Sequence, residues 1–213
     1  MLPAAPVLVV SDRSQATRPL ADVAAASFAG GCRWFSLREK NLSRDAQIEL
    51  ALAVKAAAAP SGAVVTLHGE PEAALAAGLD GVHLGAAGNA EAARVLLGPK
   101  ALIGQSVHSL DEARAASREA LDYLIAGPAF QTASKPGYGP ALGPEGLAAI
   151  VAATPLPIIA IGGIEADTVA ICRRAGVAGI AVMGGVMRAK DPAAEVRALI
   201  AAWRGMTTPT ART

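Results

Sequence analysis

Aromatic residues are scarce in this chain of 213 residues, since Phe, Trp and Tyr together make up only 3% of it. Hydrophobic residues nevertheless reach 53%, so the core has to be built mainly from Ala, Val, Leu and Ile. The formal net charge is +1, which gives no electrostatic reason to expect a nucleic acid or a membrane surface as partner. This composition argues against intrinsic disorder and favours a globular domain with a large apolar core.

Cysteines and long apolar runs are also in short supply. Cys32 and Cys172 are too few and too far apart for a disulfide framework or a zinc site. No apolar run is long enough to span a bilayer, and the first residues lack the basic start and apolar run of a signal peptide. We therefore expect a cytoplasmic protein with no membrane partner.

The sequence is rich in short apolar runs that alternate with alanine-rich helical stretches. The runs are continuous rather than alternating, which is typical of strands buried on both faces of a parallel sheet. They begin near residues 6, 32, 63, 81, 101, 121, 157 and 179. Eight such units predict an α/β fold, a single-domain (β/α)8 TIM barrel over residues 1–204, followed by a flexible tail over 205–213. An open flavodoxin-like sheet normally has fewer units and is the weaker interpretation.

Two glycine-rich segments follow the last two predicted strands, where a TIM barrel often holds a phosphate. Glycines let backbone N–H groups approach a ligand closely, and the start of a following helix adds a positive dipole end. Two such segments in succession predict a phosphate site, although glycines can also simply turn the chain. The predicted phosphate-binding residues are Gly162, Gly163, Met183, Gly184 and Gly185.

Charged and hydroxyl residues follow two other strands. Arg38 and Lys40 in "SLREK" (36–40) are suited to an anionic group, the alternative being a solvated loop with an ion pair through Glu39. The segment 127–143 is long for a βα connection, as lids and binding loops often are, the alternative being a mobile loop with no role. Its candidate contacts to an anionic group are Thr132, Ser134 and Lys135.

The three histidines are the candidate acid/base groups. His68 and His108 both follow predicted strands, and His108 lies near Ser106 and Ser109 in "IGQSVHSLDEA". An imidazole there is either a stray ring at a helix start or a catalyst, because its unperturbed pKa lies near neutral pH. His83 lies inside a strand between apolar residues, which is more typical of a hydrogen-bonded core residue than of a catalyst.

An ordered set of motifs running through nearly the whole chain resembles the thiamine phosphate synthase/TenI family. The motifs are "SLREK" (36–40), "GVHLG" (81–85), "IGQSVHSLDEA" (103–113), "DYLIAGPAFQTASKPG" (122–137), "PIIAIGGI" (157–164) and "GVAGIAVMGGV" (176–186). The resemblance implies the same (β/α)8 fold and two possible activities. Synthases join a thiazole phosphate to a hydroxymethylpyrimidine pyrophosphate with Mg²⁺, whereas TenI-type tautomerases aromatise a thiazole carboxylate phosphate without a metal.

Three positions of this sequence depart from the synthase pattern. Synthases usually read Asn-Asp-Arg after the third strand and Gly-Gln-Glu-Asp after the fourth, with the acidic residues serving Mg²⁺. This chain reads His68-Gly69-Glu70 and Gly85-Ala86-Ala87-Gly88, so both aspartates are replaced by glycine. The glutamine that helps synthases bind the pyrimidine is Ser36 here. The resemblance is therefore closest to the TenI-type tautomerases.

For this chain the resemblance implies metal-independent isomerisation, with His108 as the acid/base catalyst and no cofactor. Arg38, Lys40, His68 and Ser106 are expected to bind substrate, together with the hydroxyl and lysine residues of the long loop. The expected partners are a small-molecule thiazole phosphate and a second copy of the chain in a homodimer. Three alternatives stay open: a divergent synthase that needs Mg²⁺, a non-catalytic regulator that binds thiazole phosphates, and another phosphate-binding barrel isomerase.

Overall fold

The computed structural model describes residues 2–3, 7–131 and 140–205 of the chain. The strands in these ranges are β1 (Val7–Val10), β2 (Trp34–Leu37), β3 (Val64–His68), β4 (Gly81–Leu84), β5 (Leu102–Val107), β6 (Tyr123–Ala126), β7 (Ile158–Ile161) and β8 (Gly179–Val182). The helices are α1 (Leu20–Ala29), α2 (Arg44–Ala58), α3 (Pro71–Ala76), α4 (Ala90–Leu97), α5 (Leu110–Ala115), α6 (Gly143–Ala153), α7 (Val169–Arg174), α8 (Gly184–Met187) and α9 (Pro192–Trp203), with a 3-10 turn at Ala59–Ser61.

The strands form a closed parallel barrel in chain order, and β1 completes the ring by pairing with β8. The predicted (β/α)8 barrel is therefore confirmed. Parallel pairing places all eight carboxyl ends at one rim, where TIM-barrel enzymes carry their active sites. The described part of the predicted domain ends at residue 205, so residues 206–213 of the predicted tail lie outside it.

The apolar run that begins at residue 179 continues to Gly185 in the sequence, but only Gly179–Val182 form a strand. Residues Gly184–Met187 form the short helix α8, which begins two residues after β8 ends. The chain turns at Met183, whose backbone angles are φ −129° and ψ −82°. None of the helices in the described ranges has the length and apolar character needed to cross a membrane.

The interior of the barrel changes from apolar to polar along its axis. Trp34 and Tyr123 meet edge to face with ring centroids 4.7 Å apart, and Gly104 leaves the space that the Tyr123 ring fills. Two of the few aromatic residues therefore plug the barrel. His83 stacks on Tyr123 at 5.6 Å, and His68 lies 4.7 Å from His83 on the side of the rim.

The amino ends of two strands are pinned by aspartates that lie far from the rim. Asp80 precedes β4 and accepts a hydrogen bond of 2.7 Å from the N–H of Val65 in β3. Asp122 precedes β6 and accepts a hydrogen bond of 2.8 Å from the N–H of Ile103 in β5. Asp122 also forms an ion pair with Arg94. Charged groups at this end hold the strands in register, which leaves the opposite rim for ligand chemistry.

Candidate active site

A cavity of about 1230 Å³ opens at the carboxyl rim of the barrel. Its lining includes each predicted site residue that lies in the described ranges: Arg38, Lys40, His68, Ser106, His108, Gly162, Gly163, Met183, Gly184 and Gly185. His83 also lines it, although sequence reasoning favours a core role for this residue. Thr132, Ser134 and Lys135 lie outside the described residues. Side chains from β2 to β5 thus share one space with glycines that follow β7 and β8.

His108 is held at the start of the β5–α5 connection by two contacts. Its backbone N–H donates to Glu112 Oε2 at 2.6 Å, and its ring Nδ1 lies 2.7 Å from the carbonyl oxygen of Gly127. Because a carbonyl oxygen only accepts, this contact assigns the proton to Nδ1. In the neutral ring the lone pair is then on Nε2, so the contact with Gly127, directly after β6, fixes which nitrogen can accept a proton.

The rim over β1 and β2 is organised by a buried carboxylate. Glu39 is only 3% exposed and accepts hydrogen bonds from Ser11 Oγ at 2.6 Å and from the N–H of Arg13 at 3.0 Å. Glu39 thus turns into the protein, and the ion pair expected of it is formed with Arg13, whose Nε lies 3.7 Å from Glu39 Oε2. Burial raises the pKa of Glu39, although the hydrogen bonds oppose this. Ser11 Oγ also accepts from the N–H of Arg38 at 2.8 Å, which fixes the backbone from which Arg38 reaches the cavity.

The floor of the cavity carries a buried histidine in contact with a serine. His83 is fully buried, and its Nε2 lies 2.9 Å from Ser106 Oγ. Burial, together with the charge of nearby His68, holds the pKa of His83 well below its ordinary value. His83 is therefore neutral at physiological pH.

Backbone conformation and close packing both require glycine at the two positions after β7. Gly162 and Gly163 have φ of +99° and +64°, the left-handed region in which side chains are strained. A Cβ on Gly163 would lie 2.4 Å from the carbonyl oxygen of Gln131, and one on Gly162 would lie 3.0 Å from Pro128 Cα. The close approach of the segment after β6 thus demands glycine here, in addition to any need of a ligand. The backbone of this turn faces the cavity.

The residues present do not fit a carboxylate site for Mg²⁺ over β3 and β4. Gly69 and Gly88 offer no ligand, and Glu70 Oε2 accepts hydrogen bonds from both Nη2 and Nε of Arg44, at 2.6 and 3.0 Å. Within the described ranges, no three His, Cys, Asp or Glu side chains are grouped as metal ligands. A hard cation such as Mg²⁺ prefers carboxylate oxygens, so we derive no step through a metal.

Gln105 is a residue of this rim that sequence reasoning missed. Its amide Nε2 lies 2.9 Å from the carbonyl oxygen of Gly88, 3.1 Å from that of Ala86 and 3.3 Å from that of Gly85. One side chain from β5 therefore holds the whole β4–α4 connection. A Cβ on Gly88 would also lie 2.7 Å from Leu84 Cβ, so this segment is shaped around glycine.

A second missed group joins the rim over β1 to the rim over β8. Arg188 lines the cavity and donates to the side chain of Gln15, whose Nε2 in turn donates to Asp12 Oδ2 at 2.6 Å. Burial raises the pKa of Asp12, but hydrogen bonds from Ser14 and Gln15 outweigh this and leave the pKa below its ordinary value. Asp12 is thus a carboxylate that orients Gln15 and, through it, Arg188.

Comparison with known proteins identifies the family to which this chain belongs. The sequence pattern of the family described as thiamine monophosphate synthase matches residues 7–186. The chain belongs to this family. A thiamine-phosphate synthase of Chlorobium limicola is 40% identical over 202 residues, which cover 94% of this chain and 95% of that protein.

One more sequence relative and one solved structure show how much of this chain is shared with other proteins. The thiamine biosynthesis bifunctional protein ThiM/ThiE of Symbiobacterium thermophilum is 42% identical over 188 residues, 88% of this chain, and the match spans only 39% of that longer protein. Among solved structures, a thiamine phosphate pyrophosphorylase from Pyrococcus furiosus superposes with a TM-score of 0.84 at 31% identity. That match covers 93% of this chain and 95% of the other. The family places the protein in thiamine biosynthesis.

Proposed function

We propose that the protein is a metal-independent thiazole tautomerase, the TenI-type activity of its family. The substrate is a thiazole carboxylate phosphate whose ring still carries an exocyclic double bond. The reaction moves one proton from ring carbon C2 to the exocyclic carbon, and aromatisation of the ring supplies the driving force. The observation that carries this proposal is the contact between His108 Nδ1 and the Gly127 carbonyl, which leaves the lone pair of the neutral ring on Nε2.

His108 acts as both base and acid in this scheme. Nε2 takes the C2 proton, and the imidazolium that results gives a proton to the exocyclic carbon, so the ring ends in its starting state. The Gly127 carbonyl also stabilises the imidazolium, because Nδ1–H keeps its acceptor in both protonation states. Acid–base catalysis of this kind contributes on the order of 10²–10⁴-fold to the rate.

Two anchors hold the substrate on either side of His108. Arg38 and Lys40 supply positive charge for the carboxylate, and the backbone of Arg38 is fixed by its bond to Ser11. The backbone amides of the segments after β7 and β8 are the proposed phosphate contacts. Holding both ends of a small substrate fixes the reacting carbons near Nε2, which lowers the entropy cost of the proton transfer.

Thiamine phosphate synthase is the second candidate, because the relatives compared above carry that name or the related name pyrophosphorylase. The replacement of both expected aspartates by Gly69 and Gly88, and the pairing of Glu70 with Arg44, speak against it. The relatives support the family and the pathway, whereas the residues at the rim support the tautomerase.

The deciding experiment tests the tautomerase substrate and the pair of synthase substrates in separate incubations. The protein is incubated with the unaromatised thiazole carboxylate phosphate, with and without EDTA, and the C2 and exocyclic protons are followed by NMR in D₂O. We expect isomerisation at the same rate in both. A second incubation offers the aromatic thiazole phosphate with the pyrimidine pyrophosphate and Mg²⁺. Thiamine phosphate formation without isomerisation would assign the synthase activity, and binding with neither reaction would assign a regulator.

A further inference from the structure

His83 can act on a ligand in the cavity through its hydrogen bond with Ser106. Its ring is fully buried inside the barrel, between Tyr123 and His68, and its Nε2 is 2.9 Å from Ser106 Oγ. Ser106 itself lines the cavity, two residues before His108, which follows β5 and lines the same cavity. Ser106 and His108 therefore address neighbouring parts of one ligand.

The contact between His83 and Ser106 permits two proton arrangements with opposite consequences. If Ser106 donates to Nε2, then the ring proton is on Nδ1, and the hydroxyl presents only lone pairs to the cavity. If Nε2 donates to Ser106, then Nδ1 carries a lone pair, and the hydroxyl proton is directed elsewhere. Nδ1 of His83 is buried and has no hydrogen-bond partner in the described ranges. The first arrangement therefore buries an N–H donor without an acceptor, which is rarer in proteins than an unused acceptor.

We propose that His83 is a positioning residue that donates from Nε2 to Ser106 Oγ and so directs the Ser106 hydroxyl proton into the cavity. There the hydroxyl donates to an acceptor atom of the ligand beside the carbon that His108 deprotonates. The identity of that ligand rests on the proposed function, whereas the orientation of the hydroxyl does not. As the carbon loses its proton, negative charge spreads onto such an acceptor, so the bond strengthens in the transition state.

The surroundings keep His83 in one neutral state. Burial and the neighbouring His68 lower its pKa, so the ring does not gain a second proton in the neutral range. The stacked Tyr123 ring, which a side chain at Gly104 would displace, limits the orientations open to the imidazole. A neutral ring with one fixed orientation is a constant hydrogen-bond donor.

The first test reads the tautomer directly in the ligand-free protein. Long-range ¹H–¹⁵N correlation spectra of protein labelled at histidine distinguish Nε2–H from Nδ1–H by the shifts of the two ring nitrogens. We expect His83 as the Nε2–H tautomer, unchanged across the neutral pH range. An Nδ1–H tautomer would overturn the proposal whether or not the protein is a tautomerase.

The second test uses substitutions that keep or remove the donor. Ser106→Ala removes the hydroxyl, and we expect kcat for thiazole isomerisation to fall about tenfold, which is the scale of one hydrogen bond. His83→Leu removes the donor, and we expect kcat to fall by a similar factor. His83→Gln should retain most of the activity, because its amide N–H can replace Nε2–H. In the His83→Leu background, Ser106→Ala should cost little more, because the two act as one unit.

Tyr123→Phe is the matched control, because it removes a buried hydroxyl that has no hydrogen-bond partner in the described ranges while keeping the ring against His83. It should leave kcat within about twofold. Losses from His83→Leu and Ser106→Ala that simply multiply in the double variant would overturn the positioning role. If the unaltered protein does not turn over the thiazole at all, the proposed function fails, and the tautomer spectrum still decides the inference.

Discussion

The two halves of the cavity are built from different parts of the chain. From β2 to β5 the lining is made of side chains, and its charged or titratable members are cations and imidazoles: Arg38, Lys40, His68, His83 and His108. We call this the side-chain half. After β7 and β8 the lining combines the backbone of the turn at Gly162 and Gly163 and of the start of α8 with charged side chains such as Arg188. We call this the backbone half.

The difference lies in what each half can do to a ligand. The described lining of the side-chain half holds no carboxylate, because Glu39 turns inward to Ser11 and Glu70 turns outward to Arg44. Backbone amides, in contrast, offer fixed donors that never titrate, which suits them to an anion that must stay in place. Under the proposed function, proton transfer and carboxylate binding belong to the side-chain half, and phosphate binding belongs to the backbone half.

The largest effect is expected from replacing His108, the proposed catalyst in the side-chain half. His108→Asn removes the imidazole, while the amide of the new side chain can still donate to the Gly127 carbonyl. We expect kcat for isomerisation to fall by about 10²–10⁴-fold, with the affinity for the aromatic thiazole carboxylate phosphate changed by less than about threefold. Stopped-flow or NMR kinetics give the first quantity, and calorimetric titration gives the second.

His68→Asn is the matched variant for that prediction, because His68 lines the same half at the end of β3. A loss as large as that of His108→Asn would move the acid/base role to His68, and a near-normal kcat for His108→Asn would remove His108 from the mechanism.

A smaller effect is expected from breaking the backbone half. Gly163→Ala places a Cβ 2.4 Å from the Gln131 carbonyl at a φ of +64°, so the turn has to shift. We expect a loss of about 1–3 kcal/mol in the free energy of unfolding and a weaker affinity for the phosphate ligand, with kcat on the bound substrate less affected. Urea unfolding and calorimetric titration measure the two effects.

Gly69→Ala is the control on the opposite half. The nearest atom to a Cβ there is Gln47 Oε1, at 3.9 Å, and its φ lies outside the strained region. It should change the free energy of unfolding by less than about 0.5 kcal/mol. Equal losses at the two glycines would show that the backbone half has no special geometry.

Much of this comparison can be predicted from local sequence. Continuous apolar runs predict all eight strands, because burial on both faces leaves no room for polar alternation. The barrel geometry then places the residues after each strand at one rim, which is why separate segments such as Arg38, His108 and Gly162 line one cavity. The cap of α2 is equally local, since Ser43 directly precedes the helix and its Oγ accepts from the N–H of Ala46.

What escapes sequence reasoning are contacts between residues that are distant in the chain. Glu39 reads as a rim charge beside Arg38, and only the register of β1 against β2 brings Ser11 to it, 28 residues away. Gln105 reads as a polar residue within a strand, yet it binds three carbonyl groups of the preceding connection. Such hydrogen bonds depend on how neighbouring strands are staggered, and the residue types alone do not encode that stagger.

The smallest effect concerns the buried carboxylate behind the side-chain half. Burial raises the pKa of Glu39 in the folded state, so the unfolded chain loses this proton at a lower pH than the folded protein does. The contribution of the group to stability is therefore fully present below the unfolded pKa and is lost as the pH rises through the folded pKa. Relative to Glu39→Gln, the unaltered protein should be more stable at about pH 4 than at about pH 7. Urea unfolding of both proteins at the two pH values measures this difference. The opposite trend would mean that the hydrogen bonds from Ser11 and Arg13 outweigh burial and that Glu39 is held as a carboxylate.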